Sequence, residues 1–130
     1  MIKMLMTAAA MIQEAGLGEV GIDVYVGTIP ADVIKGVMLR APLDPTEVDE
    51  GMQDFYDTQF QIIVRDTDPA AGFDRADKIS KALRTFRLER DGLSISWMRR
   101  KSLPIQYPKG EADDIETSVR MQVGYGELAA

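Results

Sequence analysis

Histidine and cysteine are both absent from this chain of 130 residues. Histidine is the commonest general base and transition-metal ligand, and a cysteine thiolate is the usual thiol nucleophile. Their absence excludes disulfide bonds and every mechanism that depends on an imidazole or a thiol, while carboxylate and lysine chemistry stay open. No apolar run reaches the ~18 residues typical of a membrane span, so we expect no membrane partner. The sequence therefore favours a protein that works through its surface.

The remaining composition is that of an ordinary folded domain, with 45% hydrophobic and 28% charged residues. The length fits one domain over residues 1–130. The formal net charge is −6, with 21 acidic and 15 basic residues. An acidic balance argues against broad binding to the phosphate backbone of nucleic acids.

Hydrophobic periodicity predicts two helices, over residues 2–15 and 70–87, and five strands. The alternating segments span residues 20–26, 33–40, 59–65, 93–98 and 115–125. We expect the first two strands to form a hairpin because their connection is short, whereas the strand–helix–strand segment 59–98 is compatible with a crossover. The prediction is an α+β fold, with an about five-stranded, mainly antiparallel sheet and two helices packed on it.

Both predicted helices carry an apolar stripe. In the first helix the stripe comprises Ile2, Leu5, Met6, Ala9 and Ile12. In the second it comprises Phe73, Ala76, Ile79, Leu83 and Phe86. The first helix is also rich in methionine, which favours either a flexible core filler or a second face that meets a partner subunit.

The longest irregular segment, residues 41–57, contains no basic residue. Its six carboxylates are Asp44, Glu47, Asp49, Glu50, Asp54 and Asp57. Their spacing does not follow that of a Ca²⁺-binding loop, so the pattern favours a solvated acidic loop and no metal site. Loops of this length in a small domain are usually functional.

Two further motifs have structural explanations. Asp66 and Asp68 directly precede Pro69, and this order is typical of a helix start rather than of an acid–base pair. Gly16, Gly18 and Gly21 have the spacing of a dinucleotide-binding loop. They follow a helix and lead into a strand, which is the reverse of the order that binds a phosphate. We therefore predict no cofactor and no catalytic residue.

A basic run, Arg99, Arg100 and Lys101, follows Trp97 at the end of a predicted strand. Three cations and one tryptophan are too few for specific nucleic-acid recognition. The run either keeps a strand end soluble or pairs with the acidic loop of a neighbouring copy, and head-to-tail contacts of that kind close into rings.

Residues 58–84, in which a Gln/Ile/Val/Arg strand feeds an amphipathic helix ending near Leu83, resemble the tail terminator (tail-completion) and minor capsid proteins of long-tailed bacteriophages. The resemblance extends over most of the chain. It implies a virion protein without enzymatic activity, which assembles in the host cytoplasm as a homohexameric ring in the tail and neck. The ring would cap the tail tube, join it to the head–tail connector proteins and let DNA pass through its lumen without specific binding.

On that interpretation the six carboxylates face the lumen or the connector. The basic run contacts a neighbouring subunit or the tail tube protein, and the predicted loop 101–114 is a further candidate for contact with the tube. Three alternatives stay open: a head-side connector or stopper (head-completion) protein, a small enzyme that uses carboxylates, and a monomeric binding module.

Overall fold

The computed structural model describes residues 1–42, 55–108 and 114–128. These residues form two helices and seven strands, which confirms the α+β class and corrects the predicted five strands. The elements are α1 (Ile2–Glu14), β1 (Val24–Val26), β2 (Gly36–Arg40), β3 (Phe55–Asp66), α2 (Pro69–Ala82), β4 (Thr85–Arg90), β5 (Leu93–Arg100), β6 (Ile105–Pro108) and β7 (Ile115–Glu127).

The strands form one mixed sheet in the order β1-β2-β3-β7-β5-β4. Its spine is the antiparallel pair β3–β7, which is in register from Phe55 opposite Gly126 to Asp66 opposite Ile115. The far side of β7 pairs with β5 along its C-terminal half and with β6 along its first residues. The chain reaches β5 from β3 through α2 and β4, so β3 and β5 run in the same direction on either side of β7.

Both helices pack on the same face of the sheet and form one core with it. Phe60, Ile62 and Val64 of β3 are fully buried there, because alternation along the strand turns every second side chain to this face. The largest fully buried side chains from the other elements are Met4, Leu5, Ile12, Leu39, Ile79, Leu83, Leu93, Ile95, Met98 and Met121. In the described chain no helix covers the opposite face, which we call the open face.

Helix α1 buries three of the five predicted stripe residues, Leu5, Ala9 and Ile12, and adds Met4 and Ala8 to the core. Met4, Ala8 and Ile12 are fully buried, whereas Ile2 and Met6 are exposed. Methionine thus fills the core at Met4 and lies on the surface at Met6. Neither described helix has the length and apolar character needed to cross a membrane.

Helix α2 begins as predicted, but it ends earlier. The Asp68 carboxylate accepts a hydrogen bond from the Ala70 backbone N–H at 3.0 Å, and Pro69 occupies the first helical turn. The predicted end at Arg87 is wrong, because residues 85–90 form strand β4. Phe86 fits the helical stripe in the sequence, yet it pairs with Trp97 of β5 and is exposed.

The predicted β1–β2 hairpin is also wrong, since the two strands pair in parallel. The connection 27–35 returns the chain to the end of the sheet at which β1 began, and β2 then runs in the same direction as β1. Arg65 of β3 holds that connection, because its guanidinium donates to the carbonyl of Val33 at 2.9 Å and lies near that of Pro30. Arg65 also forms ion pairs with Asp114 at 3.3 Å and Glu116 at 3.2 Å.

Strand β6 lies where the sequence predicts a loop between residues 101 and 114. Ile105 pairs with Ser118 and Tyr107 with Glu116, and the pairing follows Pro104 and ends at Pro108 opposite Ile115. Proline is tolerated there because β6 is an edge strand whose outer side needs no donor.

Strand β5 contains a bulge that changes the predicted faces. The register with β7 shifts between Ile95 and Trp97, so Ser96 is the extra residue. Ile95 and Met98 therefore both face the core, and Trp97 turns to the open face. Strict alternation along residues 93–98 would place Trp97 on the face of Ile95 and Met98 on the other face, and the bulge reverses both positions.

Candidate interaction surfaces

Five of the six predicted carboxylates lie outside the described residues: Asp44, Glu47, Asp49, Glu50 and Asp54. The sixth, Asp57, belongs to β3 rather than to a loop, because the strand begins at Phe55. Its exposed carboxylate accepts a hydrogen bond from Gln122 of β7 at 3.3 Å on the open face. The sequence therefore overestimates the length of the acidic loop at its C-terminal end.

The basic run at the end of β5 does not form one patch. Arg100 turns toward the helices, where its guanidinium contacts the Asp77 carboxylate of α2 at 2.6 Å. Asp77 also pairs with Lys81, and the hydrogen bonds from Lys81 and then Arg100 lower the pKa of this carboxyl group. The Arg100 side chain therefore links α2 to the sheet, and it is engaged within the subunit.

Arg99 instead belongs to the open face, where it joins two other arginines. Arg40 of β2 and Arg120 of β7 lie on this face on either side of Gln61, and Arg99 pairs across the strands with Gln122. The Arg40 guanidinium donates to the Gln61 amide oxygen at 2.8 Å. Within the described residues, no carboxylate forms an ion pair with any of these three arginines.

Lys101 continues this basic area beyond the end of β5. Its backbone N–H donates to the Arg120 carbonyl at 2.8 Å, and its side chain is exposed. The sequence singled out Arg99 and Lys101 but missed Arg40 and Arg120. Only the strand register brings these four together, because they come from β2, β7 and the end of β5.

Aromatic side chains adjoin the arginines on the open face. The ring of Trp97 contacts that of Phe55 with centroids 5.7 Å apart, and the Arg99 guanidinium lies 6.0 Å from the Trp97 centroid. Gly124 lies directly beneath Trp97, since a Cβ atom there would be 2.4 Å from the indole ring. Phe86 on β4 extends the cluster toward the sheet edge. Trp97 therefore packs against the sheet at Gly124 and against the ring of Phe55.

The remaining acidic and glycine motifs have structural roles. Asp66 accepts from the backbone N–H of Asp68 at 2.9 Å, which confirms its role at the helix start. Gly16 and Gly21 have φ angles of 75° and 86°, a conformation that favours glycine. Gly18 is required by packing, because a Cβ atom there would be 2.4 Å from Val24 Cγ2. Among the described residues, no group of three acidic side chains is arranged to hold a metal ion.

Comparison with known proteins gives a structural protein of the phage tail, which accords with interaction surfaces of this kind. A family model described as bacteriophage tail terminator protein matches residues 11–125. No curated protein matches the chain. Among solved structures, a chain of the virion of the native gene transfer agent particle is similar in fold, with a TM-score of 0.59 and 18% sequence identity. The alignment covers 92% of this chain and 84% of that one.

The family match spans all seven strands, apart from the last two residues of β7, as well as helix α2. Its members are structural proteins of the phage tail, and a virion component of this kind accords with the lack of imidazole and thiol chemistry in this chain. The chain belongs to the bacteriophage tail terminator family.

Proposed function

We propose that this chain is the subunit of a homohexameric ring that caps the tail tube, ends its growth and joins the tail to the head–tail connector. The family match over residues 11–125 is the observation that carries this proposal. The subunit assembles in the host cytoplasm and resides in the neck of the virion. Its partners are further copies of itself, the tail tube protein and the connector proteins.

The distribution of charge supports a ring through which DNA passes. Residues 43–54 hold five acidic residues and no basic residue, and residues 109–113 hold two acidic residues and one basic residue. These two segments account for the whole net charge of −6, so the remainder of the chain is electrically balanced. We propose that the acidic segment with Asp44, Glu47, Asp49, Glu50 and Asp54 faces the lumen or the connector, where it repels DNA phosphates and discourages binding.

The exposed basic residues at the end of β5 support contact between proteins. Arg99 and Lys101 stay exposed, whereas Arg100 is engaged with Asp77. We propose Arg99 and Lys101 as the part of the predicted basic run that meets a neighbouring subunit or the tube. Arg40 and Arg120 enlarge the same area.

The first test is the mass of the purified protein by light scattering over a concentration series, repeated with isolated tail tubes. We expect six chains per particle, either in solution or bound at the tip of the tube. Tubes that have bound this hexamer should no longer elongate. A protein that stays monomeric and leaves tube growth unchanged would contradict the proposal. Binding to the head connector without binding to tubes would instead identify a head-side stopper protein.

A further inference from the structure

Two edges of the sheet, on opposite sides of the β3–β7 pair, expose apolar side chains. One edge is formed by β1 with the segments on either side of it, and the other by β6 with the residues before it. From β1 the sheet continues through β2, β3 and β7 to β6, so the two edges face away from each other. A copy that met the next one through these edges would present a different surface on each side, as a ring requires.

The β6 edge patch consists of Leu103, Ile105 and Tyr107, together with the cations Lys101 and Arg120. The side chains of Leu103, Ile105 and Tyr107 are 70%, 52% and 54% exposed. Among the described strands β6 pairs with β7 alone, so its outer backbone groups are open. Flat edges with apolar side chains are usually shielded in soluble proteins, so this one is a candidate for a covered surface.

The β1 edge patch consists of Val20, Ile22 and Ile34 with the carboxylates Glu19 and Asp32. Ile22 is 69% exposed, and Val20 and Ile34 are about half exposed. An open groove of about 530 Å³, lined by residues 16–19 with Ile22 and Asp23, runs along this edge. Two of the lining residues are tied to α2, because the Arg75 guanidinium donates to the Leu17 carbonyl at 3.2 Å and to the Asp23 carboxylate at 3.0 Å.

The charges at the two edges are complementary. Glu19 and Asp32 form no ion pair with another described residue, and neither do Lys101 and Arg120. The exposed cation Lys35 follows Ile34 in the chain. Counted against the carboxylates of Glu19 and Asp32, it leaves the β1 edge patch with a small excess of negative charge. Apolar residues flanked by opposite charges are the composition expected of a subunit contact with one preferred orientation.

We propose that the β6 edge patch of one copy packs into the β1 edge patch of the next copy, with Ile105 and Tyr107 entering the groove beside Ile22. Lys101 and Arg120 then lie near Glu19 and Asp32 of the neighbour. The occupant is a second copy of this chain, because both complementary surfaces are present on every copy. This inference rests on the proposed ring and assigns its subunit contact.

Cysteine cross-linking tests the contact directly, because the chain has no cysteine of its own. The double variant Ile22→Cys/Ile105→Cys, treated with a short bismaleimide, should yield a ladder of covalent products up to the ring. A mixture of the two single variants should yield one covalent dimer and nothing larger. Covalent dimers of either single variant alone would show a symmetric contact and overturn the proposal.

A second test blocks one patch at a time. Ile105→Asp and Ile22→Asp should each run as a monomer in light scattering, and an equimolar mixture should form a dimer through the two intact patches. Phe73→Asp is the matched control, since it adds the same charge to an exposed apolar position on α2, and it should assemble as the wild type does. Circular dichroism confirms that each variant is folded. Full assembly of both blocked variants would overturn the proposal.

The failures of the two proposals are distinguishable. If the wild type forms rings in solution or on tubes while the Ile22–Ile105 cross-link is absent, the subunit contact lies elsewhere and the ring stands. If no ring forms in either setting, the proposed function and this contact are both wrong.

Discussion

At the residue scale, side chains that are adjacent in the sequence of a strand point to opposite faces of the sheet. Arg99 and Arg100 are consecutive, yet Arg99 lies on the open face beside Gln122 and Arg100 contacts Asp77 of α2. The open-face arginines come from distant positions that the sheet register brings together. A charged run therefore predicts a surface only after its strand and register are known.

Leu83 tests the core face of α2. It is fully buried at the end of the helix. Leu83→Ala should lower the free energy of unfolding by about 2–5 kcal/mol, because truncation of a buried leucine removes apolar contacts and leaves a cavity. Urea denaturation followed by circular dichroism measures the loss. Leu128→Ala, the same change at an exposed position, is the control, and equal effects of the two variants would show that the assigned face is wrong.

Gly124 tests the packing of Trp97. An added Cβ atom would lie 2.4 Å from the indole ring, so Gly124→Ala should cost about 1–3 kcal/mol through overpacking. In a Trp97→Ala background the same substitution should cost much less, because the ring that it meets is gone. Urea denaturation of the four proteins in this cycle gives the coupling. Additive effects would contradict the contact.

At the element scale, Asp68 tests the start of α2. Asp68→Ala removes the acceptor of the Ala70 backbone N–H and should cost about 1 kcal/mol, within the range for loss of a helix cap. Asp74→Ala is the control on the same helix, because it breaks an exposed pair with Lys78 for which about 0.2–0.5 kcal/mol is typical. If thermal denaturation ranks the two variants in the opposite order, the cap is not the main stabilising feature of this terminus.

Elements with strong local signals were predictable. Helix α2 has Asp68 and Pro69 at its start, and the strands β3 and β7 alternate clearly along the sequence. The boundaries of α1 were also predicted to within one residue at its end.

Elements that depend on distant partners were not predictable. Strand β4 continues the apolar spacing of α2 through Phe86, and pairing with β5 decides its conformation. The connection between the parallel strands β1 and β2 contacts a distant residue, since Arg65 of β3 donates to the carbonyl of residue 33 and lies near that of residue 30. The acidic segment was recognised by composition alone, and five of its six carboxylates lie outside the described residues.

At the scale of the whole molecule, most of the net charge comes from the acidic segment 43–54. Reversal of Glu47, Asp49 and Glu50 to lysine should leave the melting temperature nearly unchanged, because solvated surface charges contribute little to stability. We expect it to impair ring assembly or DNA passage, measured as the yield of infectious particles. Asp74→Lys/Glu89→Lys/Glu127→Lys changes the net charge equally at exposed positions and should retain the yield. A normal yield from the first variant would contradict a role of the acidic segment at the lumen or connector.

The pH dependence of stability should be governed by carboxylates. The hydrogen bond from Arg90 lowers the pKa of Glu14, and those from Lys81 and Arg100 lower the pKa of Asp77. A lowered pKa in the folded state stabilises the protein above the unfolded value of about 4, and this contribution is lost as the pH falls through the folded value.

The urea midpoint should therefore be nearly constant between about pH 5.5 and 7, because the chain has no histidine, whose unperturbed pKa of about 6.5 lies in that interval. It should fall below about pH 4 as carboxylates become protonated. The variant Glu14→Gln/Asp77→Asn should show a weaker fall, since it lacks two of the carboxylates with a lowered pKa. A transition centred between pH 6 and 7, or a variant that follows the wild type throughout, would show that other groups control the acid sensitivity of the fold.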